Sequence, residues 1–310
     1  MEVLRGLHDV VLDVPGSVVS IGNFDGVHRG HQAVIGSAVV AARHAGMTSV
    51  VCTFDPHTRV FLYPRRPPRL LETLEQRIHA IERLGVDVTV VIPFVREVAQ
   101  VPRDAFVHDF LLGALHARQV HVSKDFTFGA GGAGNVTYLR ELAADNGFEV
   151  QVVPAVIADG APISSSRIRD AIAAGDMEQA AAMLGRAFAI TGEVVHGAGR
   201  GRRLHAPTAN LDVHGRFLPA CGVYVTEARV GDQAHPSVTN VGVRPTFEQD
   251  GAVTVEAHLL DDGVDLYGKK IALAFLTRLR EEMRFNDAAA LAEQIRRDVE
   301  SAQRYFAKRR

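Results

Sequence analysis

The sequence predicts two domains, an N-terminal α/β domain with a parallel sheet covered by helices on both faces and a C-terminal antiparallel β-barrel closed by a helix. The chain of 310 residues is long enough for about two domains of ~150 residues each. Strand and helix patterns alternate through the first half, which is typical of a parallel sheet. From Phe188 onward, strand patterns follow one another without helices between them, which is typical of an antiparallel domain. We therefore predict domains at residues 1–186 and 187–310.

Hydrophobic periodicity predicts each element of the first domain in turn. The predicted strands are SVVSIGNF, TSVVCTF, VDVTVVIPF, QVHVSKDFTF and FEVQVVPAV. The predicted helices are HQAVIGSAVVAARHAG, LETLEQRIHAIERLG, RDAFVHDFLLGALH and NVTYLRELAADNG, and the first of them is expected to end at Gly46. A Rossmann-like sheet of this kind binds ligands beyond the carboxyl ends of its strands.

The second half begins with a helical stretch, SSSRIRDAIAAGDMEQAAAMLGR, in which Gly175 is the expected break. The predicted strands of the barrel are FAITGEVVHG, GVYVTEARV, PSVTNVGV, VTVEAHLL and KKIALAFL, with Gly, Pro and Asp between them. The last stretch, DAAALAEQIRRDVESAQRYFAKRR, predicts the closing helix.

Composition and charge indicate an ordinary globular protein of the cytoplasm. Hydrophobic residues make up 47% of the chain and charged residues 23%, which is enough for full cores. The formal net charge of −2 provides no basic field for nucleic acid. The N-terminus does not resemble a signal peptide, and no apolar run is long enough to span a membrane. Cys52 and Cys221 lie in apolar strand-like runs and are expected to be buried free thiols. We expect small-molecule partners, no nucleic acid, no membrane, and a monomer or weak homo-oligomer.

The loop GNFDGVHRGH, residues 22–31, lies between the first predicted strand and the first predicted helix. Free backbone N–H groups and the positive end of the helix dipole make such a turn an anion site. Gly22, Gly26 and Gly30 would let a phosphate approach the backbone closely. The loop is therefore a predicted phosphate site.

Two histidines in this loop strengthen the prediction. His28 and His31 are three residues apart, so both imidazoles can face the same anion and stabilise negative charge in a transition state. A tight turn with two exposed histidines is the plain alternative. Metal ligation is a third, although Asp25 is the only nearby carboxylate and no cysteine lies in the loop.

These residues resemble the HxGH signature of nucleotidyltransferases, in the form that bacterial FMN adenylyltransferases use. TFDPH at 53–57 and ISSSRIR at 163–169 resemble two further motifs of the same domain. The resemblance implies that His28, His31 and Arg169 bind phosphate and stabilise the transition state. It implies further contacts with ATP or its phosphates at Gly22, Phe24, Asp25, Gly30, His57, Ser165 and Ser166. Ser166 stands where the family usually has Thr, which preserves the hydroxyl.

A second glycine-rich stretch, GAGGAG at 129–134, fits the dinucleotide pattern G-x-G-x-x-G. It follows the fourth predicted strand and not the opening strand of a βαβ unit, which argues against a dinucleotide-dependent oxidoreductase. The resembled family has a glycine-rich stretch here on the flavin side of its site, which implies flavin contacts at Asp125 and Phe126. Ser123 replaces a usual Gly of that stretch. GVDLYGKK at 263–270 is one residue short of a P-loop and is interpreted as a turn before a strand.

The segment GAGRGRRLHAPTANL, residues 197–211, contains a Gly- and Arg-rich loop that can wrap a polyphosphate. Thr208 and Asn210 alternate on one side of an extended segment and offer two hard oxygens suitable for Mg²⁺. A solvated basic loop is the plain alternative for GRGRR by itself. The segment resembles the riboflavin kinase motif GxPTAN, with His205 and Ala206 where the family has Gly and usually Phe.

Five later stretches also resemble riboflavin kinases, namely LPACGVYV, TNVGVRPTF, VEAHLLD, DLYG and LREEMRF. The resemblance implies that Thr208 and Asn210 bind the metal–nucleotide and that Glu256 is the base that activates the riboflavin hydroxyl. Without the resemblance, Glu256 would be interpreted as an ordinary strand residue. Further nucleotide and flavin contacts are implied at Gly201, Arg202 and Arg280.

The motifs cover nearly the whole chain in order, and together they resemble the bifunctional riboflavin kinase/FMN adenylyltransferase family. The resemblance implies that the C-terminal domain phosphorylates riboflavin with Mg·ATP to give FMN and ADP. The N-terminal domain then joins FMN to a second ATP to give FAD and pyrophosphate. The alternatives are an adenylyltransferase whose kinase half is impaired at His205, and a non-catalytic flavin- or nucleotide-binding sensor. The presence of Glu256 together with both histidines argues against a sensor, because binding alone needs no base.

Overall fold

The computed structural model describes residues 1–7, 9–195, 208–243, 253–261 and 266–309. Within these residues the chain forms two compact units, Met1–Ser165 and Ser166–Arg310.

A parallel sheet forms the centre of the first unit. Its six strands are β1 (Glu2–Arg5), β2 (Ser17–Ile21), β3 (Thr48–Asp55), β4 (Val88–Pro93), β5 (Ala117–Ser123) and β8 (Glu149–Val153). They lie in the order β1-β4-β3-β2-β5-β8, and every neighbouring pair is parallel. Two small hairpins pair β6 (Thr127–Phe128) with β7 (Gly134–Asn135), and β9 (Ile157–Ala158) with β10 (Ala161–Pro162). The predicted parallel sheet is thus confirmed, and the short edge strand β1 is an addition to it.

Strand β2 lies inside the sheet, and all of its residues are buried. The strands that follow it in the chain lie on both of its sides, because β3 and β4 extend the sheet one way and β5 and β8 the other. Strand order therefore reverses between β2 and β5, and such a switch point opens a crevice at the carboxyl ends of the strands. The loop at 22–31 follows β2 at this switch point.

The helices of the first unit are α1 (Arg29–Ala45), α2 (Thr58–Leu62), α3 (Leu74–Glu82), α4 (Arg96–Ala99), α5 (Arg103–Ala105) and α6 (Val136–Asn146). As predicted, α1 ends at Gly46, which takes the left-handed conformation with φ 63°. The helix predicted for RDAFVHDFLLGALH has wider turns than an α-helix, because α5 runs into a π-helical segment, Phe106–Ala114. This segment buries Phe106, Phe110 and Leu111 in the core of the sheet.

The second unit is a closed barrel whose neighbouring strands are all antiparallel. Its six strands are β11 (Phe188–Val195), β12 (Ala209–Leu211), β13 (Gly222–Val230), β14 (Gln233–Val243), β15 (Val253–Leu259) and β16 (Lys270–Arg280). They follow the order β11-β12-β15-β14-β13-β16 around the barrel. The predicted closing helix is α9 (Ala288–Ala307), and its N-cap is Asp287.

Two helices follow β10 and precede β11 in the chain, namely α7 (Ser165–Ala174) and α8 (Met177–Leu184). Gly175 separates them with φ 83°, as predicted. Helix α8 packs on β11 and β16, and the backbone N–H of Ala220 donates to the carbonyl of Ile172 on α7. Both helices therefore belong to the compact unit of the barrel. The domain boundary predicted between residues 186 and 187 rests on the strand pattern alone and stays a prediction.

Candidate active sites

The loop after β2 is a tight turn in which Phe24, Gly26 and Val27 have positive φ angles of 49°, 88° and 33°. Positive φ is uncommon for residues other than glycine, so this conformation needs support from its surroundings. The carboxylate of Asp25 provides part of that support, because its Oδ1 accepts a hydrogen bond of 2.9 Å from the backbone N–H of Leu71.

A second carboxyl group, that of Glu72, supports the same loop by accepting a hydrogen bond from it. The backbone N–H of Gly26 donates to Glu72 Oε1 over 2.9 Å. Asp25 is 1% exposed and Glu72 is 7% exposed, so both carboxylates are packed under the loop. The geometry gives Asp25 a role in holding the loop, and its predicted contact with phosphate stays a prediction.

His28 and His31 lie side by side at the N-terminus of α1. His28 is the N-cap, and its Nδ1 accepts a hydrogen bond of 3.3 Å from the backbone N–H of His31. The two rings stack with centroids 3.5 Å apart and an interplanar angle of 18°. The edge-to-face contact of Phe24 with His31, at 5.3 Å, fixes the second ring. The plain alternative of two exposed histidines does not hold, because His28 is only 4% exposed.

Gly30 is favoured at its position because the His28 ring lies close to it, and not because it has a positive φ angle. A Cβ at this position would lie 3.1 Å from Cε1 and Nδ1 of the His28 ring, which is tighter than nine in ten real contacts of a Cβ, so the ring would have to shift. A Cβ at Gly22 would similarly lie 3.0 Å from the ring of Phe24. A side chain at either glycine would therefore crowd the ring of His28 or of Phe24 in this loop.

The TFDPH segment is connected to this loop through Asn23. The Asn23 side chain donates to Thr58 Oγ1 over 2.9 Å and accepts from the Thr58 backbone N–H over 3.0 Å. His57 caps α2, because its Nδ1 accepts from the backbone N–H of Arg59 at 3.1 Å. His57 is 6% exposed, and its predicted contact with ATP stays a prediction.

Ser165 connects the third motif to the same loop. Its hydroxyl donates to the backbone carbonyl of Asp25 over 2.9 Å. Ser166 and Arg169 follow on α7 within the second unit, where Ser166 is exposed and Arg169 is half-buried. The structure thus brings Ser165 together with the histidine loop, and the predicted phosphate contacts of Ser166 and Arg169 stay predictions.

The predicted flavin residues of the first unit lie in a turn after β5. The backbone N–H of Phe126 donates to the carbonyl of Ser123 at 3.2 Å, and the ring of Phe126 stacks on Phe128 at 5.4 Å. Asp125 is exposed and Phe126 is half-buried. Because β5 is the parallel neighbour of β2, this turn lies at the same edge of the sheet as the histidine loop.

A row of five residues crosses the barrel and forms the candidate site of the second unit. Strand register places Asn210 opposite Glu256, Glu256 opposite Asn240, Asn240 opposite Val223, and Val223 opposite Arg280. Directly opposed residues lie on the same face of a sheet, with Cβ atoms about 4.5–5.5 Å apart. Three of the predicted kinase residues are therefore members of one continuous row.

A cavity of about 290 Å³ lies between this face of the barrel and helix α9. Its polar lining residues are Thr208, Asn240, Glu256, His258, Arg280, Glu282 and Asp298. Its apolar lining residues are Val223, Val238, Met283, Phe285, Leu291, Ile295 and Val299. A pocket that combines apolar walls with convergent polar groups is typical of a small-molecule site.

Thr208 and Asn210 fit the predicted cation. The side-chain oxygen Asn210 Oδ1 is buried and accepts no hydrogen bond from any residue that the structure describes. A buried oxygen without a donor is costly unless a cation or water satisfies it, and amide and hydroxyl oxygens are hard ligands suited to Mg²⁺. Gly201, Arg202, His205 and Ala206 lie outside the described residues.

Arg280 is held by an ion pair with helix α9. Its Nε and one terminal nitrogen donate to the Asp298 carboxylate at 2.8–3.1 Å, and Gln294 donates to the same carboxylate at 2.9 Å. Asp298 is 6% exposed. The guanidinium therefore fastens α9 to the barrel, and the predicted contact of Arg280 with flavin stays a prediction.

Sequence reasoning missed several residues of these sites. Asp298 lies in the stretch that the sequence identifies only as the closing helix. Asn240 lies in a strand whose register with its neighbouring strands cannot be determined from the sequence. Arg77 is 1% exposed, donates to Thr53 Oγ1 and to the carbonyl of Phe54, and has no carboxylate partner within the described ranges. A charged residue on the apolar side of a helical pattern was the available signal for Arg77 and Asp298.

Four groups elsewhere have shifted pKa values. Burial raises the pKa of the Cys52 thiol, and burial together with Glu282 raises that of Cys221. Both are free, as predicted, although Cys221 is partly exposed rather than buried. Burial raises the pKa of Tyr224 to about 12 and lowers the pKa of His121 below its ordinary value of 6.5.

The described part of the chain contains no cluster of three or more His, Cys, Asp or Glu side chains suited to a metal. No helix in it is both long and apolar enough to cross a membrane.

Comparisons with known proteins match two parts of the chain to two different family models. The family model described as FAD synthetase matches residues 12–167, and the model described as riboflavin kinase matches residues 184–306. A bifunctional riboflavin kinase/FMN adenylyltransferase of Pseudomonas fluorescens is 38% identical over 302 residues, which cover 97% of each chain. The Listeria monocytogenes protein of the same description is 36% identical and covers 94% of this chain and 93% of its own. A crystal structure described as a macrolide-efflux protein from Streptococcus pneumoniae has a TM-score of 0.88 at 29% identity, and the match covers 98% of this chain and 99% of that one.

Proposed function

The chain belongs to the bifunctional riboflavin kinase/FMN adenylyltransferase family, and from this premise we propose how its two units carry out the synthesis of FAD from riboflavin through FMN. The unit with the parallel sheet is the adenylyltransferase, and the barrel with its helices is the kinase. The predicted cytoplasmic location, the monomeric or weakly oligomeric state and the absence of nucleic-acid partners are part of the same proposal.

In the adenylyltransferase unit, the histidine loop stabilises charge on phosphate. An oxygen of the FMN phosphate attacks the α-phosphorus of ATP, the bond to the bridging oxygen breaks, and pyrophosphate leaves. His28 and His31 donate hydrogen bonds to the phosphate oxygens as negative charge increases on them. No covalent intermediate on the protein is needed, so catalysis consists of positioning and charge stabilisation. The stacked pair of imidazoles at the N-terminus of α1 supports these roles.

In the kinase unit, Glu256 acts as the general base. It takes the proton of the terminal ribityl hydroxyl as that oxygen attacks the γ-phosphorus of ATP, and ADP leaves. Thr208 and Asn210 would hold Mg²⁺, which neutralises phosphate charge when it is bound. The observation that carries this proposal is the cavity that Glu256 and Thr208 line together with apolar side chains of the barrel and of α9.

Reciprocal loss of the two activities tests the proposal. His28→Ala should lower FAD formation from supplied FMN by about 10²- to 10³-fold and leave riboflavin phosphorylation nearly unchanged. Glu256→Gln should abolish FMN formation and leave FAD formation from supplied FMN intact. His79→Ala and Glu227→Gln are matched controls on α3 and β13, because neither residue lies in a candidate site.

The products are separated by chromatography after incubation with ATP, Mg²⁺ and either flavin. Equal loss of both activities in either variant would contradict the assignment of one reaction to each unit. Full kinase turnover in Glu256→Gln would show that another group is the base. Conversion of riboflavin to FMN by the unchanged chain would reject a kinase impaired at His205, and any turnover would reject a sensor.

A further inference from the structure

Asn240 lines the cavity that we assign to the kinase reaction, and none of the roles proposed above involves it. It lies on β14 between Glu256 on one side and Val223 on the other, as directly opposed residues of adjacent strands. Its side chain therefore adjoins the proposed base and also the first apolar residue of the cavity wall. Among the residues that the structure describes, the Asn240 amide makes no hydrogen bond, although it lines the cavity.

The first four members of the row change from polar to apolar. Asn210 and Glu256 lie at the polar end, Asn240 follows, and Val223 begins an apolar part of the wall. The fifth member, Arg280, is charged and is paired with Asp298. Apolar side chains of α9 continue that part, among them Leu291, Ile295 and Val299. A ligand that fits this order has a reactive hydroxyl at one end, a second polar group beside it, and a large apolar ring beyond.

Riboflavin has this order of groups. Its terminal 5′-hydroxyl is the one that is phosphorylated, its 4′-hydroxyl is on the next carbon, and the isoalloxazine ring lies at the far end of the ribityl chain. When Glu256 takes the proton of the 5′-hydroxyl, the 4′-hydroxyl lies one carbon closer to the ring, and the adjacent polar side chain in the row is Asn240. A primary amide can donate to a hydroxyl and accept from it.

We propose that Asn240 is a substrate-binding residue of the kinase site that hydrogen-bonds the 4′-hydroxyl of riboflavin and so sets the position of the 5′-hydroxyl at Glu256. This inference rests on the proposed placement of the kinase reaction in the cavity. Its consequence is selectivity for flavins with a hydroxyl next to the reacting one.

The proposal is tested by comparing the unchanged chain and Asn240→Ala on two substrates, riboflavin and an analogue that lacks the 4′-hydroxyl. Asn240→Ala should lower kcat/KM for riboflavin by about tenfold to 100-fold, because a hydroxyl is left without its partner. With 4′-deoxyriboflavin, which lacks that hydroxyl, the same variant should lower kcat/KM less than about twofold. An equal loss with both substrates would overturn the proposal, because the effect would then not pass through the 4′-hydroxyl.

Val223→Ala is the matched control, because Val223 is the other neighbour of Asn240 in the row. It should lower kcat/KM for both flavins by the same factor. Adenylylation of supplied FMN by each variant reports that the rest of the chain is folded. Asn240→Val is the second variant if alanine prevents folding, since a β-branched residue suits a strand and carries no hydrogen-bonding group.

Glu256→Gln separates this inference from the function on which it rests. If Glu256→Gln keeps full kinase turnover, the placement of the kinase site fails, and the inference fails with it. If Glu256→Gln is inactive and the losses at Asn240 are equal for both flavins, only the role of Asn240 is rejected.

Discussion

Replacement of Asp298 by alanine should loosen helix α9 from the barrel and weaken the binding of riboflavin. The Asp298 carboxylate accepts hydrogen bonds from Nε and one terminal nitrogen of Arg280, at 2.8–3.1 Å. It also accepts from Gln294 on its own helix. These contacts lie in the wall of the cavity that we assign to the kinase reaction, so a change in them should alter both stability and substrate binding.

The expected cost follows from burial. Removal of one partner of a buried ion pair costs about 3–5 kcal/mol, because the other charge stays buried without compensation. Asp298→Ala should fall at the lower end, about 3 kcal/mol, because Arg280 keeps a hydrogen bond to the carbonyl of Glu281 and 18% of its side chain is exposed. A loss of this size corresponds to about 100-fold in an equilibrium constant.

The assay needs a signal other than tryptophan fluorescence, because the chain contains no Trp. Urea unfolding followed by far-UV circular dichroism gives the free energy of unfolding, and a product assay gives KM for riboflavin. We expect a higher KM for riboflavin and an unchanged rate of FAD formation from supplied FMN. The double variant Arg280→Met/Asp298→Leu removes both charges and should recover most of the lost stability.

The double variant also tests the predicted contact of Arg280 with flavin. Recovery of stability without recovery of KM would support that contact, and recovery of both would reject it. A loss of less than about 1 kcal/mol in Asp298→Ala, or a double variant no more stable than the single one, would refute the reasoning from the ion pair.

Three further predictions concern the rest of the chain. Gly30→Ala should lower FAD formation about tenfold by displacing the His28 ring, and an unchanged rate would refute this. Because burial lowers the pKa of His121 below 6.5, the unfolded chain binds this proton first, so the free energy of unfolding should fall as the pH drops below 6.5. Urea midpoints of His121→Asn should depend less on pH over that window, and an equal dependence would contradict the assignment. A fragment of residues 166–310 should melt at a higher temperature than one of residues 187–310, because the shorter fragment lacks two packed helices. Each buried apolar side chain of those helices contributes about 1.5–3 kcal/mol. Equal melting temperatures would support the boundary predicted between residues 186 and 187.

Most helices and buried strands could be predicted because their signals are local. Gly46 ends α1 and Gly175 separates α7 from α8 through positive φ angles that glycine adopts readily. The continuous apolar strands of a parallel sheet are also visible in the sequence. Strand β1 was missed because it has four residues, most of them exposed at the sheet edge, so no periodicity distinguishes it. The π-helical turns of Phe106–Ala114 depend on packing and leave no pattern of their own.

The two sites differ in how much the sequence could reveal. The histidine loop is one continuous segment, so spacing alone predicts that His28 and His31 share a face. The kinase row takes one residue from each of five strands, and the register between strands determines which residues meet. A shift of one residue on β14 would turn Asn240 to the other face of the sheet. Periodicity along one strand cannot determine that register, so Asn240 was not found from sequence.

The capping role of His28 determines how it can act on phosphate. Its Nδ1 accepts the backbone N–H of His31, so a hydrogen bond from the neutral ring to the proposed phosphate would have to come from Nε2. The ring therefore serves the helix through one nitrogen and faces away from the cap with the other. The end of α1 that His28 caps also contributes positive potential at the place where we propose that phosphate binds.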